Sequence, residues 1–129
     1  TNRIDHGTRA IEDENLVSLL VEKKIPLTQC LTSNVKLNVV SDYSQHPFGD
    51  FLKKNVKVTL NTDDPAIFES GLTNEIRIAT KNFNLNINDL KNLASKSVDA
   101  TFLDDSNKAS MLNKINNEFV ALQKSVESN

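Results

Sequence analysis

Three short strand patterns separated by helical segments constrain the fold of this chain most strongly. The first is "NRIDHG", which ends on polar residues and is closed by Gly7. The second, "IPLTQCLTSN", is expected to run as a strand into a polar loop, and the third is residues 56–61, "VKVTLN", whose apolar positions alternate. Helical patterns at residues 12–24 and 47–55 separate the strands. Successive strands joined by helices predict an α/β fold with a parallel sheet.

The sequence after Pro65 predicts three amphipathic helices, the first of them with Thr73 as a candidate cap. In chain order, their apolar stripes are Ile76, Ala79 and Phe83, then Leu90, Leu93, Ala94 and Val98, then Met111, Leu112, Ile115, Phe119 and Leu122. In the first half of the chain, the helix at 12–24 has a stripe of Leu16, Leu19 and Leu20.

The composition excludes several classes of partner. The formal net charge of the 129 residues is −2, which argues against nucleic acid and against an anionic membrane surface. No apolar run approaches the roughly 20 residues of a membrane span. Cys30 is the single cysteine, so no internal disulfide forms. That usage favours a reducing compartment, and we expect the cytoplasm.

Residues that can carry chemistry follow each predicted strand. They are His6, the pair Ser33-Asn34 and the pair Asp63-Asp64. The carboxyl ends of parallel strands meet at one edge of the sheet, where both β/α barrels and open doubly wound sheets build their sites. Two adjacent carboxylates repel, so a positive charge near Asp63-Asp64 is expected unless one of them is protonated.

The aspartate pair allows two interpretations. Asp63-Asp64-Pro65 is typical of a helix start, because Asp caps helices and Pro suits the first helical position. Alternatively, a divalent cation supplies the missing positive charge. Zinc accepts both carboxylate oxygen and His nitrogen, and a catalytic zinc keeps one position open for water.

The remaining candidates also have structural alternatives. His6 either hydrogen-bonds the backbone in its turn or deprotonates a water at a metal. His46, followed by Pro47, is typical of a helix-entry turn and is not expected to be a ligand. Cys30, within a strand pattern, is expected to be a small buried apolar residue.

Taken in order, five segments resemble the carboxyl-terminal part of the adenosine/adenine deaminase family. They are "RIDHGTRAIED", "IPLTQCLTSNVKL", "HPF", "VKVTLNTDDPAIF" and "LTNEIRIA", and the resemblance extends through "LASKSVDATFLDDSNKASML". That family is a zinc-dependent (β/α)8 barrel of the amidohydrolase superfamily. The resemblance implies that the chain forms about strands six to eight of such a TIM barrel plus its closing helices. It would be one partial domain over 1–129, with βα units at 1–65 and closing helices at 66–129.

The resemblance implies roles for three residues. Asp63 would ligate zinc at the end of the eighth strand, and Asp64 would hydrogen-bond the purine ring as a substrate-binding residue. His6 would be catalytic, orienting and helping to activate the attacking water. The water would attack C6 of the purine and ammonia would leave.

Other family features have no counterpart in these 129 residues. The His-x-His pair of the first strand, a third zinc histidine and a nearby proton-donating Glu are absent from the sequence. We therefore expect a portion of a deaminase that is inert by itself, binds zinc weakly and is prone to associate. The remaining barrel strands could be supplied by another chain, because three parallel strands leave both sheet edges unpaired.

The resemblance leaves the substrate between two purines. "RIDHG", "IPLT" and "SNVKL" favour the adenine-acting branch, which converts adenine to hypoxanthine. "CLTSN", "NTDDP" and "SGLTNE" favour adenosine deaminases, which convert adenosine to inosine and ammonia in purine salvage. On balance these segments favour adenosine, with adenine as the alternative.

A hypothesis from another class is a non-catalytic helical interaction module. In it, the aspartate pair only caps a helix, and the stripe from Met111 to Leu122 docks on a partner.

Overall fold

The computed structural model describes residues 1–127 and consists of a small parallel sheet with helices in between and after it. The strands are β1 (Ile4–Asp5), β2 (Leu27–Gln29) and β3 (Val58–Leu60). The helices are α1 (Glu14–Glu22), α2 (Leu31–Lys36), α3 (Phe48–Lys53), α4 (Pro65–Phe68), α5 (Leu72–Phe83), α6 (Ile87–Asp99) and α7 (Asp105–Glu127), with short 3-10 turns at Thr8–Glu12 and Tyr43–Gln45. None of the helices in the described part of the chain combines the length and apolar character needed to cross a membrane.

The three strands form one parallel sheet in the order β1-β2-β3, which confirms the expected α/β fold with a parallel sheet. Leu27 in β2 is opposite Ile4 on one side and Val58 on the other. Because consecutive strands are neighbours and point the same way, their carboxyl ends lie side by side. This arrangement places the residues that follow the strands at one edge.

The two faces of the sheet differ in character. Leu27, Val58 and Leu60 belong to the buried hydrophobic core, together with residues of α1, α2, α3, α5 and α6. Side chains alternate along a strand, so Thr28 and Thr59 face the opposite side. Their hydroxyls bond polar groups there, since Thr28 Oγ1 donates to Asp5 and Thr59 Oγ1 donates to Asn61.

Helix α1 begins later than its pattern predicted, because the Asp13 carboxylate accepts hydrogen bonds from two amides of the first turn. The predicted stripe of Leu16, Leu19 and Leu20 is wrong at two positions: Leu16 is 37% exposed and Leu19 is 46% exposed. Val17 and Leu20 are the buried residues of this helix.

The segment after β2 corrects a second expectation. Ser33 and Asn34 lie in helix α2, not in a polar loop, and both are buried. The helical pattern at 47–55 is confirmed by α3, with Pro47 immediately before it.

The three helices predicted after Pro65 are confirmed as α5, α6 and α7, and the short α4 precedes them. The cap of α5 is Gly71 and not Thr73. The predicted stripe of α7 is half-exposed; four of its members, Met111, Ile115, Phe119 and Leu122, line a cleft of about 560 Å³ with apolar residues of α5 and α6. The final two positions of the expected 66–129 helical region lie outside the described residues.

His46 is a buried histidine that ties α2 to α3. Its Nδ1 accepts a hydrogen bond from the Phe48 backbone N–H at 3.1 Å. Its Nε2 lies 2.9 Å from the side-chain amide of Asn34. Both ring nitrogens thus serve the fold, and the expectation of a helix-entry histidine is confirmed. Burial lowers the pKa of His46 from 6.5 to about 4, because the charged ring would lose its hydration.

This lowered pKa predicts acid sensitivity within a defined window. Unfolding restores the ordinary pKa, so between pH 6.5 and 4 the unfolded chain binds a proton that the folded chain refuses. The free energy of unfolding should therefore fall as the pH drops through this window, by up to about 3 kcal/mol from His46. Urea unfolding at several pH values measures it, with His46→Asn as the variant that keeps an acceptor near Nδ1 but does not titrate. Parallel stability curves for the two proteins between pH 6.5 and 4 would contradict this prediction.

Candidate metal and catalytic site

Three potential ligand atoms meet at the carboxyl edge of the sheet. His6 follows β1, Cys30 follows β2, and Asp63 lies three residues beyond β3. One ring nitrogen, the thiol sulfur and one carboxylate oxygen of these residues all lie within 4.8 Å of one another. His6 Nε2 and Asp63 Oδ2 lie 3.7 Å apart. The predicted meeting of His6 and Asp63 is therefore found in the structure.

The backbone at His6 and at Asp63 is in the left-handed region, with φ of 59° and 61°. Residues with a Cβ adopt this region at a cost of roughly 1 kcal/mol or more each. Two consecutive residues are left-handed at the end of β1, because Gly7, which follows His6, has a φ of 65°. A Cβ at Gly7 would lie only 3.0 Å from Leu27 Cδ2, so a larger residue would press on this core leucine as well as strain the backbone.

Side chains of β2 hold His6 in this conformation. The His6 backbone N–H donates to both the carbonyl and the hydroxyl oxygen of Thr28, at 3.0 and 3.1 Å. The His6 carbonyl accepts a hydrogen bond from Gln29 Nε2. Gln29 is fully buried, and its Oε1 has no partner among the described residues. Central-strand residues thus fix the peptide groups on both sides of the imidazole.

The two aspartates of the 63–64 pair have different environments. Asp64 Oδ1 accepts hydrogen bonds from the backbone N–H groups of Ala66 and Ile67, both at 3.0 Å, and so caps α4. Its Oδ2 makes no hydrogen bond within the described residues. Asp63 turns towards His6 instead. The helix-start interpretation is thus confirmed for Asp64 alone, and its substrate-binding role stays a prediction.

Cys30 is buried, as expected, and it also belongs to the cluster. Its pKa is raised to about 12, first by burial and then by the negative charges of Asp63 and Glu75. A hydrogen bond from the Asp63 backbone acts in the opposite direction. The thiol is therefore protonated at neutral pH in the absence of a cation.

Ser33 and Asn34 are not part of the three-atom cluster. Asn34 Nδ2 donates to Thr8 Oγ1 at 2.7 Å and thereby supports the turn that follows His6. Asn34 also lines a cavity of about 630 Å³ together with His6 and Asp63, and the other walls of this cavity are mostly apolar. A cavity with apolar walls and a few converging polar groups is typical of a small-molecule site.

The donor set fits a borderline ion such as zinc. Zinc binds carboxylate oxygen, imidazole nitrogen and, once the thiol has lost its proton, cysteine sulfur, and the cluster contains one residue of each type. Asp63 offers one carboxylate oxygen to the cluster, and its side chain is partly accessible. His46 is excluded from this set, since both of its nitrogens are used within the fold.

Sequence reasoning missed the supporting roles of Thr28, Gln29 and Cys30. The signal for Cys30 was its position directly after a strand, like His6. Thr28 and Gln29 gave no comparable signal, because their contacts depend on strand register and on the direction of each side chain.

Comparison with known proteins places these features in context. A family model described as Adenosine deaminase matches residues 1–118. An adenine deaminase of Wolinella succinogenes is 43% identical over 113 residues, which are 88% of this chain and 34% of the relative. An aminodeoxyfutalosine deaminase of Streptomyces coelicolor is 39% identical over 113 residues, 88% of this chain and 29% of the relative. The chain thus spans about a third of the length of the curated relatives it matches.

Solved structures give the same result for the fold. The crystal structure of adenine deaminase from Arthrobacter aurescens superposes with a TM-score of 0.88 at 34% identity, covering 94% of this chain and 37% of that one. The crystal structure of an amidohydrolase from Burkholderia ambifaria, with bound Zn, superposes with a TM-score of 0.88 at 23% identity. The match covers 100% of this chain and 36% of that one. The parallel sheet and helices therefore correspond to part of TIM-barrel deaminases.

The buried thiol predicts slow alkylation of the folded protein. With a pKa of about 12 and little exposure, Cys30 should react with iodoacetamide at pH 8 about a hundredfold or more slowly than an ordinary cysteine, since only the thiolate is nucleophilic. Mass spectrometry over time measures the modified fraction, and the urea-unfolded protein is the control for the ordinary rate. Equal labelling rates in the folded and unfolded protein would contradict the placement of Cys30.

Proposed function

The chain belongs to the adenosine deaminase family, and from this premise we propose that it is the carboxyl-terminal part of a zinc-dependent deaminase that releases ammonia from an aminopurine. One observation carries the proposal. His6 Nε2 and Asp63 Oδ2 lie 3.7 Å apart at the carboxyl edge of a parallel sheet, where barrel enzymes place their catalytic groups.

In the proposed site, Asp63 is a ligand of the zinc ion. A bound zinc ion would make a water molecule nucleophilic near neutral pH. His6 would orient that water and accept its proton, because its ring lies beside the same carboxylate. Further zinc ligands and the proton donor to the purine would come from parts of the complete protein outside these 129 residues.

Asp64 would hydrogen-bond the purine ring. Its Oδ1 is occupied by the cap of α4, but Oδ2 is available and the residue is exposed. The cap restrains the carboxylate, and Oδ2 would be the atom that meets the purine ring. Water would add at the ring carbon bearing the amino group. Its protons would pass to the amino group, which would leave as ammonia, and its oxygen would stay on the ring carbon.

Among aminopurines we propose adenine as the substrate. The adenosine preference expected from "CLTSN", "NTDDP" and "SGLTNE" has no support in the names of the relatives described above. The relatives from Wolinella succinogenes and Arthrobacter aurescens are both adenine deaminases. Those same three segments keep adenosine as the second candidate.

The alternative hypothesis of a non-catalytic interaction module predicts that the aspartate pair only caps a helix. Asp64 does so, but the carboxylate of Asp63 faces His6 and takes no part in the cap. That difference within one dipeptide favours the enzyme over the module.

Variants of the two aspartates test the assigned roles in the complete protein. Asp63→Ala should lose zinc and ammonia release together, because the ligand is removed. Asp64→Asn should retain zinc and the helix cap while turnover falls about tenfold or more, because an amide donor would replace the free oxygen Oδ2 at the ring. Metal analysis and an ammonia assay measure the two properties.

Asp13→Asn is the matched control for Asp64→Asn. Asp13 Oδ1 also accepts two amide hydrogen bonds at a helix start, in α1 and away from the candidate site. It should leave zinc content and turnover unchanged. Full zinc occupancy in Asp63→Ala would show that the ligand assignment is wrong.

Substrate choice is tested on one preparation of the complete enzyme. We expect a higher kcat/KM for adenine than for adenosine, because a site shaped for the free base has no partners for the ribose hydroxyls and would bury them unpaired. Initial rates of ammonia release with both substrates decide between them. A higher kcat/KM for adenosine would restore the order expected from the sequence.

A further inference from the structure

Glu75 is a fully buried carboxylate that the proposed chemistry does not use. It lies in the first turn of α5 with 0% of its surface exposed. The Thr32 backbone N–H donates to Oε2 at 3.2 Å, Ser70 Oγ donates to Oε1 at 2.6 Å, and the Thr32 hydroxyl also donates to Oε1. A buried carboxylate is tolerated only where such donors replace its hydration. Its contacts therefore explain its position.

The contact with Thr32 gives helix α2 a cap that its own sequence does not provide. The residue preceding α2 is Cys30, whose side chain accepts no capping hydrogen bond. Glu75 supplies the missing acceptor from 43 residues away in the sequence. A helix of six residues is too short to be stable by itself, so this contact matters for its formation.

The contact with Ser70 connects the same carboxylate to α4, the helix that Asp64 begins. Ser70 lies two residues after α4 ends at Phe68. Lys36, the last residue of α2, donates to the Phe68 carbonyl at 2.8 Å. Helix α4 is thus held to both ends of α2, through Lys36 at one end and through Ser70, Glu75 and Thr32 at the other.

This double connection restrains the segment that follows the 62–64 turn. The turn is joined to β3 on one side and to α4 on the other. Strand pairing fixes the first end, and the contacts to α2 fix the second. Helix α2 in turn begins directly after Cys30, which belongs to the same cluster as His6 and Asp63.

We propose that Glu75 is a positioning residue, which holds Asp63 at its distance from His6 by tying α4 and the start of α2 to one buried carboxylate. Its kinetic consequences rest on the proposed function, whereas its effect on the local structure does not. It touches neither of the two site residues and acts through Thr32 and Ser70.

Glu75→Gln in the complete protein is the direct test. The variant keeps the shape of the side chain but replaces one acceptor oxygen by a donor, so one of the three donors loses its partner. Amide hydrogen exchange over 62–70 should accelerate about tenfold or more, while exchange over α1 stays unchanged. Zinc affinity should fall by a similar factor, and kcat should fall more than KM rises.

Two further variants separate positioning from general stability. Phe51→Leu enlarges no part of the site but removes packing in the core, where Phe51 is fully buried. Phe51→Leu should lower Tm. Zinc affinity, kcat and the ratio of amide exchange over 62–70 to that over α1 should stay at their wild-type values. Ser70→Ala removes one donor and should give the effects of Glu75→Gln at a smaller size; it decides the question if Glu75→Gln does not fold.

The outcomes are distinguishable from failure of the proposed function. If the wild-type protein releases no ammonia, the proposed function is wrong, and amide exchange over 62–70 still tests the role of Glu75 in the local structure. The proposal is overturned if Glu75→Gln lowers Tm, as Phe51→Leu does, but leaves zinc affinity and amide exchange over 62–70 at their wild-type values. If Glu75→Gln does not fold, the same result with Ser70→Ala overturns it.

Discussion

The register of the central strand β2 is the constraint on which the candidate site depends. Leu27 is held between Ile4 and Val58, which places Thr28 beside the backbone of His6 and places Cys30 at the edge where Asp63 arrives. A slip of one residue would turn Leu27 away from the core and expose it on the polar face. Burial of the apolar side chains therefore fixes the geometry of polar atoms that contribute nothing to the core themselves.

The order of strands and helices, the parallel sheet and the meeting of His6 with Asp63 could be predicted from the sequence, because they follow from local pattern and from the direction of parallel strands. Helix α2 could not be predicted. It is short, contains Thr32 and Val35, which favour strands, and is completed by Glu75 from a distant helix. Likewise, Leu16 and Leu19 fit a stripe by spacing, yet the core reaches only the side of α1 with Val17 and Leu20. Tertiary contacts decided these cases.

Two adjacent residues of the site, Asp63 and Asp64, make different contacts because their backbone conformations differ. Asp63 and Asp64 differ by one position, but a left-handed backbone at Asp63 directs its carboxylate to His6, while Asp64 is extended and caps α4. The two carboxylates are thereby separated in direction, with backbone amides around Asp64 and an imidazole beside Asp63. The same backbone conformation at His6 brings the imidazole over the ends of the strands, where the carboxylate meets it.

Gln29 illustrates a conflict between the durability of the fold and the order of the site. Its amide nitrogen supports the His6 carbonyl, while its oxygen is buried without a donor among the described residues. An unpaired buried acceptor costs about 1–3 kcal/mol. An apolar side chain of similar volume would remove that penalty and would also release the peptide that holds the imidazole. Selection for heat resistance alone would therefore favour replacement of Gln29, and selection for turnover would oppose it.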